Sequence, residues 1–325
     1  MMNRALKSRE ALLGLAIVVL IGLIATRFPD FVAPQNLANV FNDTSALIIL
    51  ALAQMVVILT KCIDLSIAAT LALCGMVAAM LDVAGVPMAL IVPLAMALGA
   101  CLGAVNGLLV WKLQIPPIVV TLGTMTIYRG IIFLISGGKW INDQQMSPLF
   151  KSLPRMEFLW LPVLSWCAVA VVAIFAVLVG RTPLGRSFFA VGGNAHAAVY
   201  TGINVGRTQF AGFVISGTLA GLVGYLWVAR YAVAYVDIAS GFELDVVAAC
   251  VIGGISIAGG VGSVGGAVLG ALFLGVIKNA LPVIGISPFW QMAISGTAII
   301  LAIAVNATEG RSRGRVILKS AEHVA

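Results

Sequence analysis

Apolar runs make up most of this chain, and short polar stretches divide them. Ten runs are long enough to cross about 30 Å of hydrocarbon, or slightly short but rich in glycine and flanked by polar residues. They cover residues 12–26, 46–60, 67–81, 87–111, 116–135, 159–180, 208–228, 246–259, 261–281 and 289–305. The pattern predicts an all-α polytopic membrane helix bundle of about ten transmembrane helices. Two stretches, 61–66 and 253–262, read equally well as re-entrant or broken helices. The basic segment 1–10 leads into the first run without a small-residue cleavage pattern, so that run is expected to stay in place.

Composition supports the same class. Of 325 residues, 61% are hydrophobic and only 10% charged, far from the balance of a soluble protein. The 35 glycines include three sets at helical spacing: Gly99, Gly103 and Gly107; Gly217 and Gly221; Gly262, Gly266 and Gly270. Each set is expected to put a groove on one helix face, where a neighbouring helix can approach. The formal charge of +7 comes from basic residues at the ends of apolar runs, where they orient spans and meet anionic lipid; no nucleic acid partner is needed. With the N-terminus inside, most of the 19 basic residues fall on the cytoplasmic side, among them Arg4, Lys61, Lys112, Arg181, Arg186, Arg207 and Arg311. Both termini are therefore expected in the cytoplasm. Residues 1–310 read as a single transmembrane domain and 311–325 as a basic cytoplasmic tail.

Little in the chain suggests catalysis. The five cysteines mostly lie within apolar runs without the paired spacings of a metal or redox site, and two histidines, His196 and His323, cannot build a metal cluster with them. No Ser/His/Asp or Cys/His arrangement is available. No phosphate-binding G-x-x-x-x-G-K-[ST] loop occurs, and the glycine fingerprint within Gly259–Gly265 lacks both a preceding soluble strand and a following acid.

The longest polar, glycine-punctuated segment is 181–207, with Arg181, Arg186 and Arg207 and no acid. Thr182 and Pro183 read as a helix start, Gly192 and Gly193 as a break, Asn194 as the cap of a second short helix and Gly202 as its stop. The second helix carries small side chains, His196 and Tyr200. Such a knob suits a groove on another protein.

Polar side chains inside apolar runs are costly and mark candidate sites. Gln54, Asn106, Thr121, Thr124, Tyr128 and Arg129 are candidates for a solute pathway, with Thr121, Thr124 and Tyr128 on one helix face. The competing readings are backbone bonding for the threonines and snorkelling for Arg129. Asp64 is placed to cap the helix that follows it. At the outer mouth, Arg230, Tyr231, Phe242, Glu243 and Asp245 bring aromatics and charge together, a mix suited to a sugar or a docking protein; capping and interfacial anchoring are the alternatives.

Several stretches together resemble a known family. They are Ile63-Asp64-Leu65-Ser66, Thr121-Leu122-Gly123 with Arg129-Gly130, and Leu184-Gly185-Arg186 through Gly192-Gly193-Asn194 to Thr201–Val205. Further on come Ala229-Arg230, Gly241–Asp245, Ile252-Gly253-Gly254 and Ala258-Gly259-Gly260. Over nearly its whole length the chain resembles the permease subunits of bacterial ATP-binding-cassette importers of the ribose, rhamnose and autoinducer-2 group, and it looks most like the rhamnose members. One departure is that Lys61 and Cys62 stand where the family usually has two glycines. The resemblance implies a place in the bacterial inner membrane and no cofactor on this chain, ATP being used by a partner ATPase. It also implies a second permease, identical or related, and a periplasmic sugar-binding protein. The ATPase would be met by the 185–203 region, through Gly185, Arg186, Ala190, Gly192, Gly193, Asn194, Ala197, Ala198, Gly202 and Ile203. The expected function is import of a monosaccharide, with autoinducer-2 or an amino acid as alternative solutes of the same machinery. A secondary carrier driven by an ion gradient is the rival class; it needs acids within the membrane, and Asp64, Asp82, Glu243 and Asp245 all sit at span edges.

Overall fold

The computed structural model describes residues 9–286 and, beyond them, Trp290, Ala293, Gly296 and Thr297. Its described residues form α1 (Arg9–Arg27), α2 (Pro34–Leu59), α3 (Ile67–Val83), α4 (Met88–Leu113), α5 (Pro117–Ser136) and α6 (Pro148–Ser152). There follow α7 (Val163–Arg181), α8 (Pro183–Gly193), α9 (Ala195–Tyr200), α10 (Val205–Tyr231), α11 (Phe242–Ile252) and α12 (Val264–Val283). Seven of these, α1, α2, α4, α5, α7, α10 and α12, are long and apolar enough to cross a membrane, and α3 is an apolar helix of 17 residues. The run 289–305 falls on residues outside those described, apart from the four named positions, and so does the basic tail.

Three predicted runs differ from what is built. α2 begins at Pro34, twelve residues ahead of the expected 46, because proline at the first helical position starts the helix through a polar first half. Residues 157–162 fold as a two-strand hairpin, β2 (Glu157–Phe158) with β3 (Leu161–Pro162), so α7 starts at Val163 instead of 159. The run 246–259 is helical only to Ile252. Gly254, Gly259 and Gly260 adopt positive φ of 83°, 81° and 71°, which breaks the helix and carries the chain on as turns. The second of the two stretches read as broken helices is thus a half-helix followed by glycine turns.

α2 is the axis of the bundle, with every residue from Thr44 to Leu59 buried. α1 lies at the periphery against α12, touching it through a small apolar cluster of Ile17, Leu20, Ile21, Val276 and Ala280. α10 packs along α4, α3 and α2. The two glycine sets predicted to form grooves face each other across α4 and α10. A β-carbon on Gly99 would meet the Gly217 carbonyl, one on Gly217 the Gly99 carbonyl, and one on Gly221 the Ala95 carbonyl. Gly75 of α3 and Gly224 of α10 make a second such approach. In the third set, Gly266 packs on Gly253 and Gly270 on Ala249, which joins α12 to α11, while Gly262 lies ahead of the helix.

The bundle has two distinct ends. At one, α8 and α9 lie beside the end of α2 and the Gly259-Gly260 turn, whose Gly260 amide donates to the Leu59 carbonyl at 3.0 Å. At the other, β1 (Ile141–Asn142) pairs antiparallel with β4 (Val233–Ala234), Ile141 opposite Ala234, and Trp140 stacks on Tyr235 with ring centroids 4.9 Å apart. There too the end of α3 is tied to α6, as Asp82 accepts from the Ser147 amide at 2.7 Å and hydroxyl at 2.6 Å.

The α4–α10 crossing should tolerate no added side chain. Replacing Gly217 with valine is expected to cost about 3 kcal/mol, the upper part of the usual overpacking range, because the atoms it meets are backbone and cannot change rotamer. Thermal unfolding of the purified chain in detergent measures this, and an unchanged transition would show the crossing to be looser than described.

Candidate functional site

The 181–207 segment folds as its residues predict. The Thr182 hydroxyl accepts from the Gly185 amide at 3.1 Å and so caps α8. Asn194 Oδ1 accepts from the Ala197 amide at 3.1 Å and caps α9. Gly202, at φ +83°, ends α9 by donating its amide to the Val199 carbonyl at 2.9 Å. The segment has two faces. Gly185, Phe188, Val191, Gly192 and Ala198 are buried on the bundle, and Ala190 and Ile203 are half-buried. Arg186, Gly193, Asn194, His196, Ala197, Tyr200 and Gly202 point out, Tyr200 at 92% exposure. The adjacent glycines have opposite roles: a β-carbon on Gly192 would strike the Leu59 carbonyl and the Gly260 amide, whereas one on Gly193 would meet nothing within 4 Å. Beside α9 lies an open cavity of about 530 Å³ between the end of α4 and the start of α10, lined by Trp111, Gln114, Val199, Ile203, Asn204 and Gln209. Trp111, Gln114 and Gln209 lie outside the segment, and the sequence pattern gave no sign that α4 would end beside it.

The buried polar residues gather around Asp64, in the turn between α2 and α3. Its Oδ1 accepts from the Ser66 amide at 3.0 Å and hydroxyl at 2.6 Å, and its Oδ2 accepts from the Ser216 hydroxyl of α10 at 3.0 Å. Asn106 of α4 donates to the Ser66 hydroxyl at 2.8 Å. The Gln54 carboxamide, oriented to satisfy both partners, accepts from the Asp64 amide at 3.1 Å and donates to its carbonyl at 3.3 Å. Thr121 shares its hydroxyl between the Pro117 carbonyl at 3.0 Å and the Ile63 carbonyl at 3.2 Å. One turn thus ties together α2, α3, α4, α5 and α10. Burial pushes the Asp64 carboxyl above the ordinary carboxylate range, and the bonds from Ser66 and Ser216 oppose that rise.

The remaining candidates on α5 also bond within the protein. Thr124 donates to the Val120 carbonyl at 3.1 Å, and the Tyr128 hydroxyl to the Leu102 carbonyl of α4 at 2.9 Å. Arg129 does not snorkel free. It is half-buried and donates to the Val236 and Ile238 carbonyls at 2.6 and 2.8 Å, which holds the segment after β4 over the bundle end.

At that same end Arg230 is a clasp. It donates to the Asn42 carbonyl at 2.8 Å and pairs with Asp43, while its own carbonyl accepts from Arg155 Nε at 3.1 Å. Tyr231 lies 5.4 Å from that guanidinium, and Trp227 packs against both Tyr231 and Phe242. Asp245 pairs with Lys278 of α12. Glu243, half-exposed in the first turn of α11, makes no hydrogen bond or ion pair among the described residues. Sequence reading missed Asp43, Arg155, Ser216 and Lys278, whose partners are distant in the chain.

A polytopic helix bundle with seven helices long and apolar enough to cross a bilayer is the architecture of an integral membrane protein. The chain belongs to the family described as branched-chain amino acid transport system / permease component, whose model matches residues 36–303. The autoinducer 2 import system permease protein LsrC of Enterobacter sp. (strain 638) is 38% identical over 312 residues, 96% of this chain and 90% of that protein. The ribose import permease protein RbsC of Escherichia coli (strain K12) is 36% identical over 294 residues, 90% of this chain and 92% of the other. Its counterpart in Haemophilus influenzae is 35% identical over 291 residues, 89% and 90% of the two chains. No solved structure matches this chain significantly. The protein is a multi-pass inner-membrane protein.

Lys61 sits at φ +63°. Left-handed backbone costs a non-glycine residue roughly 1–2 kcal/mol, so Lys61→Gly should stabilise the chain by about 1 kcal/mol. A lower unfolding temperature in detergent would show that the lysine side chain, which lies against Gly259, outweighs the strain. Asp64 makes a pH prediction. Its folded-state carboxyl holds a proton at a pH where the unfolded one has lost it. Wild type should therefore gain stability relative to Asp64→Asn as the pH falls toward the ordinary carboxylate range. Unfolding curves across that range test this, and a difference independent of pH would mean the carboxyl titrates alike in both states.

Proposed function

We propose that this chain is one of two permease subunits of an ATP-driven importer and passes a small neutral solute inward from a periplasmic binding protein. The observation that carries the reading is the 181–207 knob, with one face locked to the bundle and the other a row of small and basic groups, Arg186, Gly193, Asn194 and Ala197, open to a partner. That partner is an ATPase subunit, which supplies the energy; this chain binds no nucleotide and performs no catalysis. The knob and both termini lie on the cytoplasmic side, as the distribution of basic residues favours. The Glu243 end then faces the binding protein.

A sugar or sugar-like solute suits a bundle whose buried acid, Asp64, is taken up by hydrogen bonds and whose other charges lie toward its ends. The names of the relatives point to ribose and autoinducer 2 as solutes of those proteins. The finer expectation of rhamnose rests only on the look of residues 256–292. We place this chain among permeases for a ribose-sized polyhydroxy solute, with its binding protein making most of the choice.

Substituting Gly193 or Ala197 with a bulky or charged residue should abolish ATP-driven uptake, a loss of at least about a hundredfold, while the protein still inserts and folds. Affinity purification from the native membrane, followed by ATPase assays with candidate sugars and binding protein, checks both points. An ATPase that accompanies wild type but not the variants, and is stimulated only by loaded binding protein, is the expected result. Solute movement by the isolated chain on an ion gradient, without ATP, would refute the reading.

A further inference from the structure

The segment from α11 to the start of α12 runs the depth of the bundle. Its helical half begins at Phe242, with Glu243 in its first turn at the β1–β4 end, and its glycine turns finish at Gly259-Gly260 beside α8. Three pieces of backbone meet there with no side chain between them. The Gly260 amide donates to the Leu59 carbonyl at 3.0 Å. Gly192 of α8 sits against that same carbonyl and against Gly260, and a β-carbon on Gly260 would lie 2.6 Å from the Gly193 nitrogen. The Lys61 side chain closes the junction over Gly259. A contact made through side chains can absorb a displacement by changing rotamer, but one made by close-packed backbone has little such slack. Beyond the junction α11 is joined to α12 by Gly253 on Gly266, Gly270 on Ala249 and the pair Asp245–Lys278. The two helices are thus held together along their contact.

We propose that this glycine joint passes the displacement of the 181–207 knob directly to the α11–α12 pair and so to Glu243 at the far end of the bundle. Gly192 and Gly260 are then positioning residues for transport. They touch neither solute nor nucleotide, and they couple the two ends of the chain. The inference rests on the importer reading and adds to it a second moving element besides the knob.

The test uses the complete complex of this chain with its ATPase and binding protein in nanodiscs. Spin labels are placed at Ser187 on α8, Ala258 in the glycine turns and Gly123 on the open face of α5, after replacement of the accessible Cys101 and Cys167. The 187–258 separation should stay constant between nucleotide-free and ATP-bound states, while both sites move relative to 123. In parallel, Gly192→Ala should raise the ATP hydrolysed per solute moved by about tenfold, within the usual range of coupling between sites. Gly180→Ala, whose β-carbon meets nothing within 4 Å, should leave that ratio unchanged. The ratio separates lost coupling from simple instability, which lowers both activities together. If Gly192→Ala fails to assemble, the label distances in the complex without that substitution still decide the question. Separations that drift by several ångströms while wild type transports normally would overturn the joint alone. Absence of ATP-driven uptake by wild type would overturn the importer reading and the joint with it.

Discussion

In hydrocarbon an apolar side chain gains little by leaving lipid for protein, so the association of these helices depends on how closely their backbones approach. α10 makes that approach twice, through Gly217 and Gly221 to α4 and through Gly224 to α3. It also reaches Asp64 through Ser216. The dispersion gained at each close contact is small, and many such contacts together hold the bundle. The rest of the architecture follows from that constraint, because two helices that touch along their backbones have few other ways to pack. The third glycine set extends the same logic to α11 and α12.

Polar groups then fix what close packing leaves free, the register of one helix against another. Asp64 does this at one end by gathering bonds or neighbours from five helices. Arg230, Arg129 and the pair Asp245–Lys278 do it at the other. A buried polar group with partners in several elements penalises every alternative arrangement that would strand it. Glu243 differs from these, since among the described residues it makes no hydrogen bond or ion pair and interacts with Arg129 only through its field.

Most of the helices were legible because each is a run of apolar residues and the bilayer dictates its length. The knob was legible for a different reason: Thr182, Asn194 and Gly202 are local signals that act within a few residues. What the pattern left open was whatever depended on tertiary contact. The run 246–259 carries the hydropathy of a span and also the glycines of a broken helix, and the structure takes the second course, ending the helix at Ile252. Gly192 and Gly193 are indistinguishable in sequence, and only the position of Leu59 separates a packed glycine from an open one. Arg129 near the end of an apolar helix reads as a snorkelling residue, since the carbonyls that receive it lie more than a hundred positions away. The class of protein came from the resemblance of several motifs together; composition alone reaches only as far as a polytopic membrane protein.

The shortness of α11 bears on how the chain enters the bilayer. Eleven residues rise about 16 Å, roughly half the hydrocarbon thickness, and two acids stand in the first turn. Such a segment has neither the length nor the polarity to partition into lipid unaided. α12 supplies what it lacks, a helix of 20 residues whose glycines receive it and whose Lys278 neutralises Asp245. Lys278 in turn is costly in lipid without that acid. The free energy of insertion is therefore most favourable for the two together, and the α11–α12 hairpin, not the single helix, is the unit that the membrane accepts.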